Sequence, residues 1–485
     1  MEKSQTENYY VTTSIPYANG ALHLGHSLEF LMADVLARAA RQSGKKVVFS
    51  TGTDEHGDKI AQKAAEHKVT PKVFVDDIST QFKELQKDMN ISNDRFIRTT
   101  DKGHEQRAAI IWGKLSHDMY KGKYSGWYDV KEEEFVPEGQ ADPARKEPSH
   151  PQAYKRLEEN NYFFKLSKYT NAIKDAIEKD EFRIIPQTRK NEILSLLNEG
   201  LNDISVSRPK DKLSWGVDVP GDNTQVMYVW FEALMNYLTV LGYPENADFK
   251  KFWPPDVQVV GKDIIRFHAA IWPAMLLSLG LPLPKTLFVH GFININGEAM
   301  SKSVGNGVHP KELISQYGVD GFRYFMLRHI PSYNDGEFSW DLIDAAYNNE
   351  LANQLGNAVQ RTASMIMKYQ KGLIGEMPVA DHDIGPYQEA LENCQFDRAL
   401  DEVFQQIKGL NQYIDEEKPW TLARSNDSDH LREVLAYQAS SLVQIADLLE
   451  PFLPDSATKI RYVFSDGVIR PLKNMLFPKK DLNNK

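Results

Sequence analysis

The chain has 485 residues, 41% of them apolar and 26% charged, enough for two or three domains with sizeable cores. A formal net charge of −10 argues against broad affinity for nucleic acid, which draws on clustered Lys and Arg. The polar start Met1–Asn8, the lack of any apolar run of membrane length and the single Cys394 argue against export, membrane insertion, a disulfide framework and a thiolate zinc knuckle, so a cytoplasmic location is expected.

The first predicted element is a β-like run, Tyr9 to Ile15, followed by Tyr17-Ala18-Asn19-Gly20-Ala21-Leu22-His23-Leu24-Gly25-His26. Leu24, Leu28, Leu31, Val35 and Ala39 recur at helical spacing. Gly25 and His26 therefore fall in the first turn of a helix, where open N–H groups favour an anion such as phosphate. Two histidines can donate to phosphate oxygens without a permanent charge. Gly44 stops the helix and Val47–Ser50 reads as a second buried strand. The unit is β-α-β with a right-handed crossover, and ligands of such sheets lie beyond the strand C-termini. The polar turn Thr51-Gly52-Thr53-Asp54-Glu55-His56-Gly57 sits at one of those ends. Thr70 and Pro71 are the N-cap and first residue of a helix with Val73, Phe74, Ile78, Phe82 and Leu85 on its apolar face, and a further helix is predicted from about Gly103 to Tyr120. Residues 1–120 read as the first half of a doubly wound domain.

From Lys121 the pattern changes: Tyr124–Val130 looks like a strand, Val136–Pro151 is rich in Pro, Gly and charge, and the aromatic stretch Asn161–Tyr169 precedes helices reaching Gly200. We read 121–208 as an insertion. The α/β pattern resumes over 209–340. Met227–Phe231 opens a helix carrying Ala233, Leu234 and Tyr237, Val257–Val260 is a strand ended by Gly261-Lys262-Asp263, Ile264–Leu279 is a helix and Thr286–Ile295 is strand-like. Next comes Gly297-Glu298-Ala299-Met300-Ser301-Lys302-Ser303, a hydroxyl-rich loop with a lysine, and Pro310 begins another helix. Beyond Trp340 the β signals vanish. Helical patterns over Leu351–Tyr369, Asp397–Ile414 and His430–Leu449 give an all-α domain at 341–466, and Arg470, Lys473, Lys479 and Lys480 make 467–485 a basic tail.

His23-Leu24-Gly25-His26 and Ala299-Met300-Ser301-Lys302-Ser303 together resemble the HIGH and KMSKS motifs of class I aminoacyl-tRNA synthetases. Ser14–Gly20, Gly52–Gly57, Gly261–Ile264, Phe267-His268, Trp272–Leu276 and Phe288–Gly291 narrow the resemblance to the methionyl-tRNA synthetase family, in order, over roughly residues 9–450. The resemblance implies an α/β fold: a doubly wound (Rossmann-type) parallel sheet forming the catalytic domain, with an α+β connective insertion, followed by an all-α helix-bundle domain. It implies ATP-dependent formation of methionyl-adenylate and transfer of methionine to tRNA(Met), with Mg²⁺ bridging phosphate oxygens and no membrane partner. His23, His26 and Lys302 are the implied catalytic contacts, and Gly25, Asp263, Ser301 and Ser303 the implied ATP contacts. Asp54 is the implied amino-group partner, in a methionine pocket of Ile15, Tyr17, Trp230, Ala233, Leu234, Tyr237, Ile264, His268 and Trp272; aromatic walls suit a polarizable thioether. Asn357, Arg361 and Trp420 match anticodon-reading positions, although Trp420 equally fits a plug between helices. Two departures stand out. The insertion lacks zinc-binding cysteines, Asp129 standing where one is often found, so no zinc is expected, and Ala299 replaces the first lysine of KMSKS. No appended dimerisation domain is recognised, so a monomer is expected. The alternatives are a small nucleotidyltransferase with the same HxGH site and a degenerate tRNA-binding relative; the all-α domain speaks against the first, and the retained Asp54, His23, His26 and Lys302 against the second.

Overall fold

Alternation of side chains along the first strands divides the interior in two. Tyr10 and Val48 point to one face of a central sheet and Val11 and Phe49 to the other, and both faces are covered, as parallel sheets require. The computed structural model describes residues 7–20, 22–129, 133–136, 154–295, 297–299, 307–378, 383–425, 427–464 and 467–480. The sheet has six strands: β1 (Asn8–Thr13), β2 (Lys46–Thr53), β3 (Arg95–Arg98) and the strands Val257–Gly261, Thr286–His290 and Arg183–Ile185. Its order is β3-β2-β1, then Val257–Gly261, Thr286–His290 and Arg183–Ile185, and every neighbouring pair is parallel. From β1 the chain winds outward through β2 to β3, whereas the later strands build away on the other side. The reversal lies between β1 and Val257–Gly261, and a crevice opens at such a switch point beyond the strand C-termini.

The sequence reading of 121–208 as a single insertion is corrected here. Arg183–Ile185 is the outermost strand of the central sheet, its carbonyls and amides taken up by Thr286–Phe288. Three residues are too few to show a period, so the helices on either side masked the strand. Residues before it do form a separate sheet. β4 (Met119–Asp129) and β6 (Tyr154–Phe164) pair antiparallel along their full length, with β5 (Glu134–Val136) on one edge and Ile204–Ser205 on the other. β4 begins at Met119, so the helix expected to reach Tyr120 ends at Leu115. The run Thr286–Ile295 is two strands parted at Gly291, where a Cβ would stand 2.4 Å from the backbone of Asn334. The helix expected over Ile264–Leu279 contains a π-helical segment, Phe267–Ile271, ahead of Trp272–Ser278. Such segments are frequent where a helix serves a site.

After Ser339 the chain is helical: Trp340–Ala346 runs through a π-helical stretch, Tyr347–Gly356, into Asn357–Gln370, and Phe396–Glu417, Ser428–Leu449 and Pro454–Phe464 pack against it. The basic tail is docked over its described part, since Ile469 and Phe477 are buried and Asn348 exchanges hydrogen bonds with the backbone of Lys480. No helix among the described residues is long and apolar enough to cross a membrane.

Candidate active site

The crevice at the strand reversal is a cleft of about 600 Å³. Three chain segments meet in it because each follows the C-terminal end of a strand. Ser14–Tyr17 leave β1, Asp54 directly follows β2, and Gly261–Ile264 leave the strand Val257–Gly261. Backbone bonds lock the first two together: Asp54 N–H donates to the Pro16 carbonyl at 2.9 Å and Ala18 N–H to the Asp54 carbonyl at 2.8 Å.

The helix Leu24–Gln42 begins in this cleft with a reciprocal cap. Gly25 N–H donates to His23 Nδ1 at 3.2 Å, and His23 N–H to His26 Nδ1 at 3.4 Å. An Nδ1 that accepts carries no proton, so both neutral rings hold theirs on Nε2, as donors suited to phosphate oxygens. The rings lie 4.0 Å apart. The expectation of open backbone N–H groups at Gly25 and His26 is corrected, because His23 takes the first through its ring and His26 N–H donates to the His23 carbonyl. Gly25 instead leaves room for the His23 ring, 3.1 Å from where its Cβ would be.

At the other end of the cleft the walls are aromatic. Tyr17 and Trp230 pack at a tilt of 59° with ring centroids 5.2 Å apart, Ile15, Ala233, Leu234 and Ile264 lie around them, and Phe267 continues the wall 6.0 Å from Trp230. Tyr237 and His268 supply polarity without charge. Burial pushes His268 down to about 4, so its imidazole is neutral at pH 7. Its Nδ1 lies 3.0 Å from the Ile264 carbonyl and must donate there, which leaves Nε2 to accept from the Tyr237 hydroxyl at 2.7 Å. An apolar, polarizable pocket lined by a neutral polar pair rejects charged side chains and accepts a thioether.

Asp54 sits at the junction. It is fully buried, Thr99 hydroxyl approaches Oδ1 at only 3.4 Å, and Oδ2 has no hydrogen-bond partner. Burial, and then the charge of Glu232, raise its carboxyl well above the ordinary range, while the neighbouring His56 opposes the shift. His56 is itself a buried cation. Burial works against its charge, yet Glu105 and Glu232 raise it to about 10. A carboxylate with an empty acceptor in a sealed floor calls for a cationic donor from the ligand.

Asp263 lines the cleft from an exposed position after its strand. Trp272 does not line it; fully buried, it backs Tyr237 at 5.5 Å. Ser301, Lys302 and Ser303 lie outside the described residues, and Ala299 closes a two-residue strand paired with Asn294–Ile295. Arg361 and Trp420 meet in the helical region, Asn357 lies one turn before Arg361 on the same helix, and none of the three lines the cleft. The Arg361 guanidinium is 5.8 Å from the Trp420 ring and holds Asp415 at 2.8 Å, and the Trp420 ring is partly buried against the helical core. The structure also supplies residues that sequence reasoning missed. Glu29 accepts both the N–H and the hydroxyl of Ser14 at 2.6 Å and faces His290 Nε2 at 3.2 Å, while Asn236, Lys59 and Phe292 complete the lining. His290 could have been found, since Phe288–Gly291 is among the quoted segments; Glu29 offered no signal beyond its place three residues after His26.

Among the described residues, no cluster of three or more His, Cys, Asp or Glu is arranged to hold a metal ion. The family model described as "tRNA synthetases class I (M)" matches residues 9–144 and 145–363. A methionine–tRNA ligase of Caldanaerobacter subterraneus subsp. tengcongensis is 43% identical over 470 residues, covering 94% of this chain and 73% of that one. The corresponding ligase of Brucella melitensis is 40% identical over 472 residues, covering 94% and 91%. Among solved structures, Mycobacterium tuberculosis methionyl-tRNA synthetase in complex with methionyl-adenylate superposes with a TM-score of 0.91 at 37% identity, covering 98% of this chain and 100% of that one.

Proposed function

The chain belongs to the methionyl branch of the class I tRNA synthetases, and from that premise we infer that its cleft joins L-methionine to ATP as methionyl-adenylate, releasing pyrophosphate, and then passes the methionyl group to the 3′ end of tRNA(Met). The observation that carries the amino-acid assignment is Asp54 Oδ2, a buried acceptor without a partner beside a neutral aromatic pocket. An α-ammonium satisfies Asp54 while the side chain enters the pocket between Tyr17, Trp230 and Leu234. The carboxylate is then left facing the histidine end of the cleft, where ATP binds.

Activation is an in-line displacement: a methionine carboxylate oxygen bonds to the α-phosphorus as the bond to the pyrophosphate oxygen breaks. No protein group need act covalently, so positioning and charge stabilisation carry the rate. In this reading the Nε2–H groups of His23 and His26 donate to phosphate oxygens, Gly25 lets the nucleotide approach, Asp263 binds the ribose hydroxyls, and Ser301, Lys302 and Ser303 meet the departing pyrophosphate. Mg²⁺ arrives with the nucleotide as part of the substrate. The reading includes no resident zinc, the only thiol being the buried Cys394, whose burial pushes it up to about 12 and keeps it a thiol.

The test is ATP–pyrophosphate exchange with all twenty amino acids offered singly. Methionine is expected to support exchange far above the rest; equal exchange with leucine or isoleucine would overturn the assignment.

We assign anticodon reading to Asn357, Arg361 and Trp420, on the observation that the Arg361 guanidinium lies 5.8 Å from the Trp420 ring and that Asn357 is one helical turn away from Arg361. Trp420→Ala is expected to depress aminoacylation of tRNA(Met) by the worth of one stacked base, ~1–3 kcal/mol or roughly ten- to a hundredfold, while exchange is retained. A parallel fall in exchange and in melting temperature would mark Trp420 as a plug between helices instead.

A further inference from the structure

Tyr17 stands in the wall of the amino-acid pocket, and its hydroxyl is held from outside the central sheet. Its Oη donates at 2.6 Å to Oε2 of Glu133, a residue of the separate β4–β6 sheet that lies just ahead of β5. The other carboxylate oxygen, Oε1, accepts the N–H of Lys59 at 3.0 Å. That N–H belongs to the first turn of helix Asp58–Glu66, whose N-cap is Gly57 and has no side chain to offer. Glu133 therefore caps a helix that cannot cap itself, and with the same group fixes the ring of Tyr17. Its own backbone is pinned as well, since the Tyr228 hydroxyl donates to the Glu133 carbonyl at 2.9 Å.

Two further observations show that the contact is built in. Glu133 is buried to 2% exposure and adopts φ 53°, a left-handed conformation uncommon for a residue with a side chain. Gly57 has φ 114°, and a Cβ there would fall 2.3 Å from Tyr17 Oη and 3.2 Å from Glu133 Oε2. Only glycine leaves the space in which the two meet. Behind Glu133 the support is stiff: Phe135 packs on Tyr124, Tyr128 and Tyr228 at 4.6, 5.2 and 5.4 Å, and the Arg208 guanidinium lies over Tyr128 while bonded to Glu159 at 2.9 Å through two nitrogens.

We propose that Glu133 is a positioning residue for methionine: the β4–β6 insertion reaches into the amino-acid site through this carboxylate and sets the angle of Tyr17, and with it the width of the pocket between Tyr17 and Trp230. The proposal rests on the reading of the cleft as a methionine site. Glu133 does not line the cleft itself and reaches it only through Tyr17, so its effect falls on side-chain recognition and not on the phosphate end.

The test is steady-state ATP–pyrophosphate exchange with Glu133→Ala, Glu133→Gln, Tyr17→Phe and the double variant Glu133→Ala/Tyr17→Phe. Glu133→Ala is expected to raise KM for methionine roughly tenfold, with kcat and KM for ATP within about twofold of the parent. Glu133→Gln, whose single amide oxygen can accept from Tyr17 but not also from the Lys59 N–H, recovers part of that loss. Tyr17→Phe reproduces it, and the double variant is no worse than the worse single one, as expected for partners in one contact. Additive losses in the double variant, or an unchanged KM for methionine in Glu133→Ala, would overturn the proposal. So would an equal loss in kcat and in both KM values, the mark of a general fault in packing. A parent enzyme without saturable dependence on methionine would instead remove the reading of the cleft on which the proposal stands.

Discussion

Replacing Asp54 by asparagine will raise KM for methionine roughly a hundredfold, the worth of ~3 kcal/mol in a charge-assisted bond formed out of water, and will leave KM for ATP within about twofold. The size follows from the floor of the cleft: Oδ2 is buried with no partner, so the whole interaction with an incoming ammonium is gained on binding. The same geometry sets a pH dependence. Burial, then Glu232, hold Asp54 well above the ordinary carboxylate range. Its protonated form therefore persists to higher pH in the empty enzyme than that of an ordinary carboxyl group, and that form carries no charge to pair with an ammonium. Methionine binding must expel the proton, so KM for methionine rises as pH falls below the Asp54 pKa of the free enzyme, tending to tenfold per unit. Asparagine has no proton to expel, and the slope should vanish in the variant. An identical slope in parent and variant would place the titration elsewhere in the cleft.

Arg323→Met will cost ~3–5 kcal/mol of stability without touching the cleft. The guanidinium is fully buried where three parts of the chain converge. Nε donates to the Phe452 carbonyl at 2.6 Å, Nη1 to that of Met89 at 3.2 Å, and Nη2 to Asp34 at 2.8 Å and the Pro451 carbonyl at 3.0 Å. Asp34 also accepts from Arg38 and Ser92; although its burial works the other way, Arg323 and Arg38 hold its carboxyl below the ordinary range. Methionine fills the volume but strands three carbonyls and halves the charge facing Asp34. At ~2.1 cal/mol/K per residue of unfolding entropy, a chain of this size should melt roughly 4 °C lower by calorimetry. An unchanged melting temperature would show that water replaces the lost donors.

Much of the cleft was legible because its chemistry is local. His23, Gly25 and His26 are neighbours in sequence, and a strand end followed by a capped helix fixes their geometry without reference to anything distant. Ile15, Tyr17 and Asp54 follow the same logic at the ends of β1 and β2. Three kinds of feature were not legible. Arg183–Ile185 is too short for periodicity, and its place is set by the open edge of Thr286–His290. Glu29, Lys59 and Glu133 act through partners far along the chain, and spacing carries no trace of such pairs. Trp272 shares its helical stretch with His268, but the π-helical segment Phe267–Ile271 breaks the periodicity that would tell which of the two faces the ligand.

The core on one face of the sheet does not stop where the helices begin: it runs unbroken from Val11 and Phe49 through Leu28 and Phe322 to Leu351, Phe404, Leu442 and Phe464. Interiors packed this way transmit force with little give. The helical region is thus a strut and not a swinging arm, and the span from Asp54 to Trp420 is fixed in advance of any encounter. A molecule built so behaves as a gauge. Under the anticodon assignment proposed for Trp420, length and bend become the means of telling one nucleic-acid partner from another, because only a partner whose two ends match the span engages Trp420 and the cleft at once.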